Sequence, residues 1–539
     1  MMSNSNKNYS SVQKAVEQAL NSGYQINPDA VKLFQKLGEH RGARRKKQQN
    51  AADNELSFEA IIRAVIEQKA KTSSAQTIEA KDLINAFPDA FDFGVATAVI
   101  TSLTVNAEQN IVAKVETASQ PQEVEEEVEV VKDQTSELQP TGIEGFSQLF
   151  KSRYEKIVHI LMERPEGRQI IKISKINNGE KENLKIAGLV FSKRQTKNGI
   201  EFTLDDDTGS ASVLALSPEA KKAVGEIALD QCVLADVDSV QGRLILKNVI
   251  QPDIPSKLAS TSKKTVYAIF LSDLHIGSNK FLEGAFARFL DWISGREVAE
   301  EDEEIVRRLK YLIIGGDVVD GVGVFPNQEY ELAEQNIFKQ YEMVSERLKL
   351  VPKHLEMFVI PGNHDATRQA LPQPMIPRKY AASLYDLPNV RMLGDPCLFK
   401  LHGVSILAFH GRSLDDVLAT TPGLSYEKPE EAMKVLLRAR HLAPIFGLRT
   451  PIAPSIEDYL VIGEVPDIFH TGHVHTVGID TYKSTLMINS GTWQAQTGYQ
   501  ANLGISPRPG LVPIVNLATL EVTLREFLTS TNSTETRAG

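Results

Sequence analysis

Apolar residues follow two different rhythms along this chain, and the changes of rhythm divide it. From residue 10 to about 90 the spacing is helical. Val12, Val16 and Leu20 recur at four-residue steps, and Ala30 to Leu37 continue the pattern after Asn27-Pro28, a cap followed by a first-turn proline. Ile61, Ile62, Val65 and Ile66 form a further stripe, and Phe146, Leu149, Phe150, Tyr154 and Ile157 predict one more helix. The period then shortens to two. Leu184, Ile186, Gly188 and Val190 alternate, Asn198-Gly199 marks a tight hairpin, and Phe202 and Leu204 alternate again. Ala211, Val213 and Ala215, then 233–237 and 244–249, complete five short strands, the pattern of a small Greek-key barrel. From 265 to 528 apolar runs at 266–271, 311–315, 356–360, 405–409, 467–470 and 485–489 alternate with helical stretches such as Phe286 to Ile293 and Tyr341 to Leu350. Strands alternating with helices predict a layered α/β sheet domain.

Between these blocks the composition shifts. Glu123, Glu125, Glu126, Glu127 and Glu129 crowd together with few apolar neighbours, so 106–142 reads as an acidic disordered linker. The predicted plan is a helical N-terminal domain over 1–105, that linker, an all-β barrel with its leading helix over 143–260, an α/β domain over 265–528 and a disordered tail over 529–539. A chain of 539 residues exceeds one hydrophobic core and agrees with several domains. The net charge of −10 argues against overall attraction to nucleic acid, although Arg41 to Lys47 concentrates five positive charges as either a solvated loop or a contact for phosphates or an acidic partner. Cys232 and Cys397 lie far apart and offer neither a zinc spacing nor a disulfide framework. Met1 to Tyr9 is polar and the longest uncharged apolar stretch, Phe93 to Val105, is shorter than a membrane span, so the expectation is a cytoplasmic protein with no membrane partner.

Chemistry concentrates where the predicted strands end. Five polar signatures occur in order: Asp273-Leu-His275, Gly316-Asp317-Val-Val-Asp320, Gly362-Asn363-His364-Asp365, His410-Gly411 and Gly472-His473-Val-His475. Each alone is weak, since single Asp or His residues at strand ends more often cap helices. Together they supply what phosphoester hydrolysis needs, two cations about 3.5–4 Å apart that activate water and clamp phosphoryl oxygens. The candidate ligands are Asp273, His275, Asp317, Asn363, His410, His473 and His475. Mixed imidazole and carboxylate ligation suits two divalent ions of the Mn, Fe or Zn kind better than Mg or Ca.

These motifs resemble those of the calcineurin-like metallophosphoesterases. The resemblance implies that one ion takes Asp273, His275, Asp317 and His475, and the other Asp317, Asn363, His410 and His473. It implies that His364 is catalytic, meeting the phosphate and protonating the leaving oxygen, and Asp320 is the natural partner to orient and charge it. Ser272 replaces a common glycine. Gly321 and Asp365 stand where protein phosphatases carry arginine and glutamate, which favours phosphodiesterases and nucleases over phosphomonoesterases. Arg368, Arg378 and Arg412 are candidates to neutralise substrate phosphates, and Pro372 to Lys379 forms a proline-rich loop to guide a strand or touch a partner. Trp493 reads as core, with base stacking as the alternative.

The stretch Asn198-Gly-x-x-Phe202-x-Leu204-x-Asp206-x-Thr208-Gly209 resembles the OB-fold of nucleic-acid-binding proteins, with Phe191 and Phe202 as its main candidate aromatics. A phosphoesterase preceded by such a barrel, an acidic linker and a helical domain resembles the small subunits of archaeal family D DNA polymerases. The resemblance implies a manganese-dependent 3′→5′ exonuclease that proofreads for a separate large catalytic subunit and acts on the single-stranded 3′ end of DNA. A sliding clamp, a primase or the large subunit are the candidate partners of the N-terminal domain. The alternatives are a non-catalytic scaffold with vestigial ligands and a stand-alone metallophosphatase.

Overall fold

The computed structural model describes residues 25–26, 77–78, 126–133, 142–176, 181–296, 298–502 and 504–528. Contacts divide the chain into two compact units, residues 1–118 and 119–539. In the first, strands β1 (Gln25–Ile26) and β2 (Thr77–Ile78) pair in parallel. The predicted N-terminal helices, the basic run 41–47 and the tail beyond 528 lie outside the described residues.

The second unit begins with β3 (Val128–Asp133), followed by helix α1 (Gly142–Met162) and β4 (Ile170–Ile171). Strands β5 (Lys181–Gln195), β6 (Ile200–Asp206) and β7 (Gly209–Ala215), helix α2 (Pro218–Gly225), and strands β8 (Cys232–Val240) and β9 (Arg243–Ile250) come next. The five longer strands close a barrel in the order β5-β6-β7-β9-β8, with β8 returning to β5. That is the layout expected of an OB-like barrel. The β5–β6 hairpin turns at Asn198-Gly199, where Thr196 N donates to the Gly199 carbonyl (2.8 Å). Inward residues Ile186, Val190, Phe202, Leu204, Val213 and Val233 fill the barrel. Phe202 is therefore core and unavailable to a base, whereas Phe191 is exposed.

The α/β domain carries β10 (Tyr267–Leu271), α3 (Glu283–Ile293), β11 (Leu309–Gly315), α4 (Ile337–Leu348), β12 (Glu356–Ile360), α5 (Arg378–Tyr385) and β13 (Val390–Met392). It continues with β14 (Cys397–Leu401), β15 (Val404–Ala408), α6 (Leu414–Thr420), α7 (Pro429–Ala439) and β16 (Ile468–Thr471). Strands β17 (Gly478–Tyr482), β18 (Thr485–Asn489), β19 (Leu511–Asn516) and β20 (Val522–Glu526) finish it. Two six-stranded sheets result, β13-β12-β11-β10-β19-β20 and β17-β18-β16-β15-β14-β3. They pack face to face, with helices on both outer faces. Strand alternation explains the layering. In β10, Ala268 and Phe270 face the second sheet, while Ile269 and Leu271 face α3, α4 and α5. Across the middle layer Phe358 and Phe399 stack with centroids 4.8 Å apart. On the far side Leu407, Phe409 and Phe469 pack on α6 and α7. Trp493 is core, its ring edge-on to Phe286 at 4.9 Å.

Most of the predicted linker, 106–125 and 134–141, lies outside the described residues, but the part between needs correction. Val128–Asp133 is an edge strand of the second sheet, antiparallel to β14. Its glutamates do repel one another, but they meet opposite charge on arrival: Glu126 pairs with Arg391 and Glu129 lies 4.0 Å from Lys400. Asp133 accepts from Gly394 N (2.7 Å).

Helix α1 joins the barrel to the sandwich. Tyr154, Ile157 and Leu161 pack against Ala187, Cys232 and Leu234 of the barrel and Val461 of the sandwich. Beside this stripe, one turn before Ile157, Arg153, only 1% exposed, donates to Asp458 (2.8 Å) and to the Pro444 carbonyl (2.8 Å). Asp458 also meets His441 Nε2 (2.9 Å). Removing one member of a buried, hydrogen-bonded pair strands the other charge without solvent. Asp458→Ala should therefore destabilise the folded chain by about 3–5 kcal/mol, read as a lower urea midpoint, whereas an unchanged midpoint would show that the pair is not needed to dock α1.

Candidate metal centre

All five polar signatures emerge at one end of the sandwich, at the carboxyl ends of β10, β11, β12, β15 and β16. Three come from the first sheet and two from the second, so packing the sheets brings them together. The backbone bends sharply to aim them. Asp273, His275, Asp317, His473 and His475 all have positive φ, between 50° and 71°. Side-chain-bearing residues adopt that conformation at a cost of order 1–3 kcal/mol each, and such strain clusters at functional sites. At Gly362 there is no room for a Cβ, which would collide with the Asp317 carboxylate.

Two donor groups share a border. In the first, His275 Nε2 and His475 Nε2 are 3.0 Å apart, and Asp273 Oδ1 lies 3.8 Å from the former and 3.3 Å from the latter. In the second, His410 Nε2 lies 3.0 Å from Asn363 Oδ1 and 3.3 Å from Asp317 Oδ2. His473 joins Asp317 and His410, with ligand atoms within 4.8 Å of one another. The same oxygen, Asp317 Oδ2, is also 3.8 Å from His275 Nε2, so it stands between the groups. All seven predicted ligands thus converge.

The electrostatics fit a cation. Burial alone would raise the Asp273 and Asp317 carboxyls, but neighbouring imidazoles hold both well below the usual range, His475 and His275 for the first and His410 and His364 for the second. Burial would lower His275 and His410, yet the facing carboxylates push each up to about 10. The cluster thus draws positive charge into itself. Asp273 Oδ1 is buried with no hydrogen-bond partner and points at the two Nε2 atoms. An unsatisfied buried carboxylate oxygen among converging nitrogens is the arrangement a divalent ion satisfies. The residues present fit two ions.

Outer partners fix the ring orientations. His275 Nδ1 meets Asp320 Oδ1 (3.1 Å), and Asp320 also accepts from Gln494 Nε2 (2.8 Å) and Gln328 Nε2 (3.1 Å). His410 Nδ1 meets the Gly315 carbonyl (2.8 Å). His473 Nε2 meets Asp415 Oδ2 (3.2 Å), and Gln500 Nε2 meets His475 Nδ1 (2.6 Å). Against burial, His473 draws the Asp415 carboxyl down to about 2.

One expectation changes here. The Asp320 carboxylate serves His275, not His364; His364 Nδ1 instead meets the Asp320 backbone carbonyl (2.6 Å). Its other nitrogen lies 4.0 Å from Asp317 Oδ2, at the floor of a cavity of about 860 Å³. Burial lowers the His364 pKa, against the pull of Asp317. Asp365 braces the turn beneath it, accepting from Gly362 N (2.8 Å) and the Tyr341 hydroxyl (3.1 Å).

The three arginines part ways. Arg412 and Arg368 line the cavity, Arg412 donating to Gln369 Oε1 (3.0 Å) and Arg368 to the Ala370 carbonyl (3.2 Å) and the Pro372 carbonyl. Arg378 does not line it; it is exposed and paired with Asp386 (2.6 Å), because its helix turns that face outward. Lys379 and Arg449 line the cavity instead. Asp415, Gln494, Gln500 and Arg449 carry no motif of their own, and Lys379 stands out in the sequence only as the end of the proline-rich loop. Asp415 has one nearby signal, its place in the helix that follows His410-Gly411.

Replacing an outer carboxylate that holds a ligating imidazole commonly costs about 10–100-fold in metal affinity. Asp320→Asn should weaken manganese binding by that factor in titration calorimetry while leaving the fold intact; unaltered affinity would remove Asp320 from the centre.

Residues 268–477 match the family model that describes the B subunits of DNA polymerases alpha and epsilon. The DNA polymerase II small subunit of Pyrococcus furiosus is 44% identical over 385 residues, covering 70% of this chain and 63% of that one. This chain therefore spans a little under two thirds of that relative's length. The Archaeoglobus fulgidus counterpart is 38% identical over 389 residues, covering 72% of this chain and 78% of its own. That of Methanothermobacter thermautotrophicus is 39% identical over 408 residues, covering 75% and 84%. A solved archaeal phosphodiesterase aligns at 13% identity and a TM-score of 0.25 over 48% of this chain and 99% of its own, a likeness too slight to argue from. Identity of this depth across most of two such relatives means that the chain belongs to the family of archaeal DNA polymerase II small subunits.

Proposed function

We propose that this chain is a metal-dependent 3′→5′ exonuclease that removes nucleotides from single-stranded DNA ends, working beside a separate large catalytic polymerase subunit. The observation that carries the catalytic part is the convergence of seven intact donors, with Asp317 Oδ2 set between two groups. A vestigial scaffold has no need to keep buried carboxylates and strained backbone aimed at one point. Family membership supports the polymerase setting, and the 3′→5′ polarity follows from the family resemblance. Asp273, His275, Asp317 and His475 would hold one ion, and Asp317, Asn363, His410 and His473 the other. Bound there, divalent ions supply Lewis acidity and neutralise phosphodiester charge.

The chain's own groups do the rest. His364 is tethered through Nδ1, which leaves Nε2 facing the cavity to hand a proton to the departing 3′ oxygen. Arg412 and Arg368 set positive charge along the cavity wall for the flanking phosphates. Gly321, where a phosphatase arginine would stand, abuts the His364 carbonyl and offers no clamp for a terminal phosphate.

General acid–base catalysis is worth roughly 10²–10⁴-fold. His364→Ala should slow 3′-end release of nucleotides from a labelled single strand by that factor while retaining bound manganese. Chelation should abolish release in the wild type and added manganese restore it. A fully metal-loaded chain that leaves DNA intact, alone and with its large partner, would overturn the proposal.

A further inference from the structure

The cavity over the metal centre has two unlike walls. Loops of the second sheet give it Arg412, Arg449 and Tyr426. Loops and helices of the first sheet give it Arg368 and Lys379 and, with them, an apolar stretch of Val322, Val324, Phe325, Ile337 and Tyr380. Val322 is 50% exposed and Val324 37%, although the segment lies within a few residues of Asp317 and Asp320. The Phe325 ring is half-buried, its centroid 6.3 Å from that of His364. These valines leave much of their surface in water beside a charged centre, and gathered with Phe325, Ile337 and Tyr380 they form an apolar patch that points to a ligand with an apolar surface.

The segment is also fixed relative to the centre. At its root Gly321 N donates to Gln340 Oε1 (2.9 Å), and Gln340 Nε2 returns a bond to the Gly321 carbonyl (3.1 Å). Val324 N donates to Gln328 Oε1 (2.8 Å), and Gln328 Nε2 holds the Asp320 carbonyl (2.8 Å). Asp320 in turn holds His275. The apolar residues are thus presented at a set place beside the centre.

We propose that the 322–325 segment, with Tyr380 on the same wall, is a base-binding subsite. It takes the heterocyclic base of the terminal nucleotide, while Arg412 and Arg449 take the phosphates. This rests on the nuclease reading above and adds the substrate feature that is recognised. A nucleotide has what the two walls ask for, an anionic edge and a flat apolar face. Stacking on an aromatic ring accepts any base. A base seated there has left its neighbour in the strand, so the subsite favours single-stranded or frayed ends, for which unstacking is least costly.

The test compares two single-stranded oligonucleotides on the manganese-loaded full chain by fluorescence anisotropy. Both carry a cleavage-resistant phosphorothioate at the last linkage; one ends in a normal 3′ nucleotide, the other in an abasic one. Base stacking predicts about five- to a hundredfold tighter binding of the normal strand. Phe325→Ala should bring that ratio towards one while leaving the abasic affinity unchanged. The double variant Val322→Ser/Val324→Ser, at exposed positions, should shrink it as well. A wild-type ratio of one, or a ratio that survives in both variants, overturns the subsite. Equal loss of affinity for both strands also overturns it, because that marks a merely structural role. A preserved base preference in a chain that cleaves no ordinary strand would sink the nuclease reading and leave the subsite standing.

Discussion

Two carboxylates, Asp273 and Asp317, sit almost without solvent at the ends of adjacent parallel strands, and the design of the sandwich follows from keeping them charged there. Burying an isolated carboxylate costs several kcal/mol. Here imidazoles from the second sheet, His475 and His410, approach from the other side and join His275 and His364 of the first, so the cost is met in full only when both sheets are packed. The middle apolar layer, from Phe270 to Ile488, holds that register. The left-handed backbone at five of the candidate ligands adds strain that the surrounding strands must withstand. Stability and the candidate chemistry are thus coupled at one edge: the packing that sets the imidazoles against the carboxylates is the packing that gathers the candidate metal donors.

Much of this was legible in the chain. Apolar runs ending in Asp, Asn or His predict strand ends that share a site, and the alternation around Asn198-Gly199 predicts the barrel. What stayed hidden depends on pairing between distant residues. The glutamates before and within β3 look like a repelling run until Arg391 is placed opposite Glu126 and Lys400 opposite Glu129. Phe202 reads as a base platform until the barrel closes over it. Asp320 stands 44 residues from His364 and 45 from His275, and sequence distance does not choose between them; its carboxylate turns to His275 and only its carbonyl reaches His364. Asp415 shows no motif of its own. Sequence spacing places backbone segments well; it does not say which of two nearby rings a carboxylate will choose.

The barrel is in physical continuity with the metal centre. Phe446 packs edge-on against Phe146 and Phe150 of α1, and its N–H donates to Asp230 of the barrel (2.9 Å). A few residues on, Arg449 N and Thr450 N donate to the Asp416 carboxylate (2.9 and 3.0 Å). Asp416 adjoins Asp415, which holds His473. One short loop therefore touches the leading helix and the barrel at one end. At its other end it touches the support of the His473 imidazole, with Arg449 on the cavity wall.

Strand β3 precedes α1 and the barrel in the chain but belongs to the sheet that follows them. In topological terms the barrel is an insertion between two strands of the sandwich, not a bead strung before it. A bead hangs from one thread and samples a wide cone of orientations. An insertion is stapled at entry and exit, so releasing it requires peeling a strand from a sheet edge first. The α/β domain is accordingly discontinuous in the gene, and a fragment starting at residue 265 would leave the edge of β14 bare.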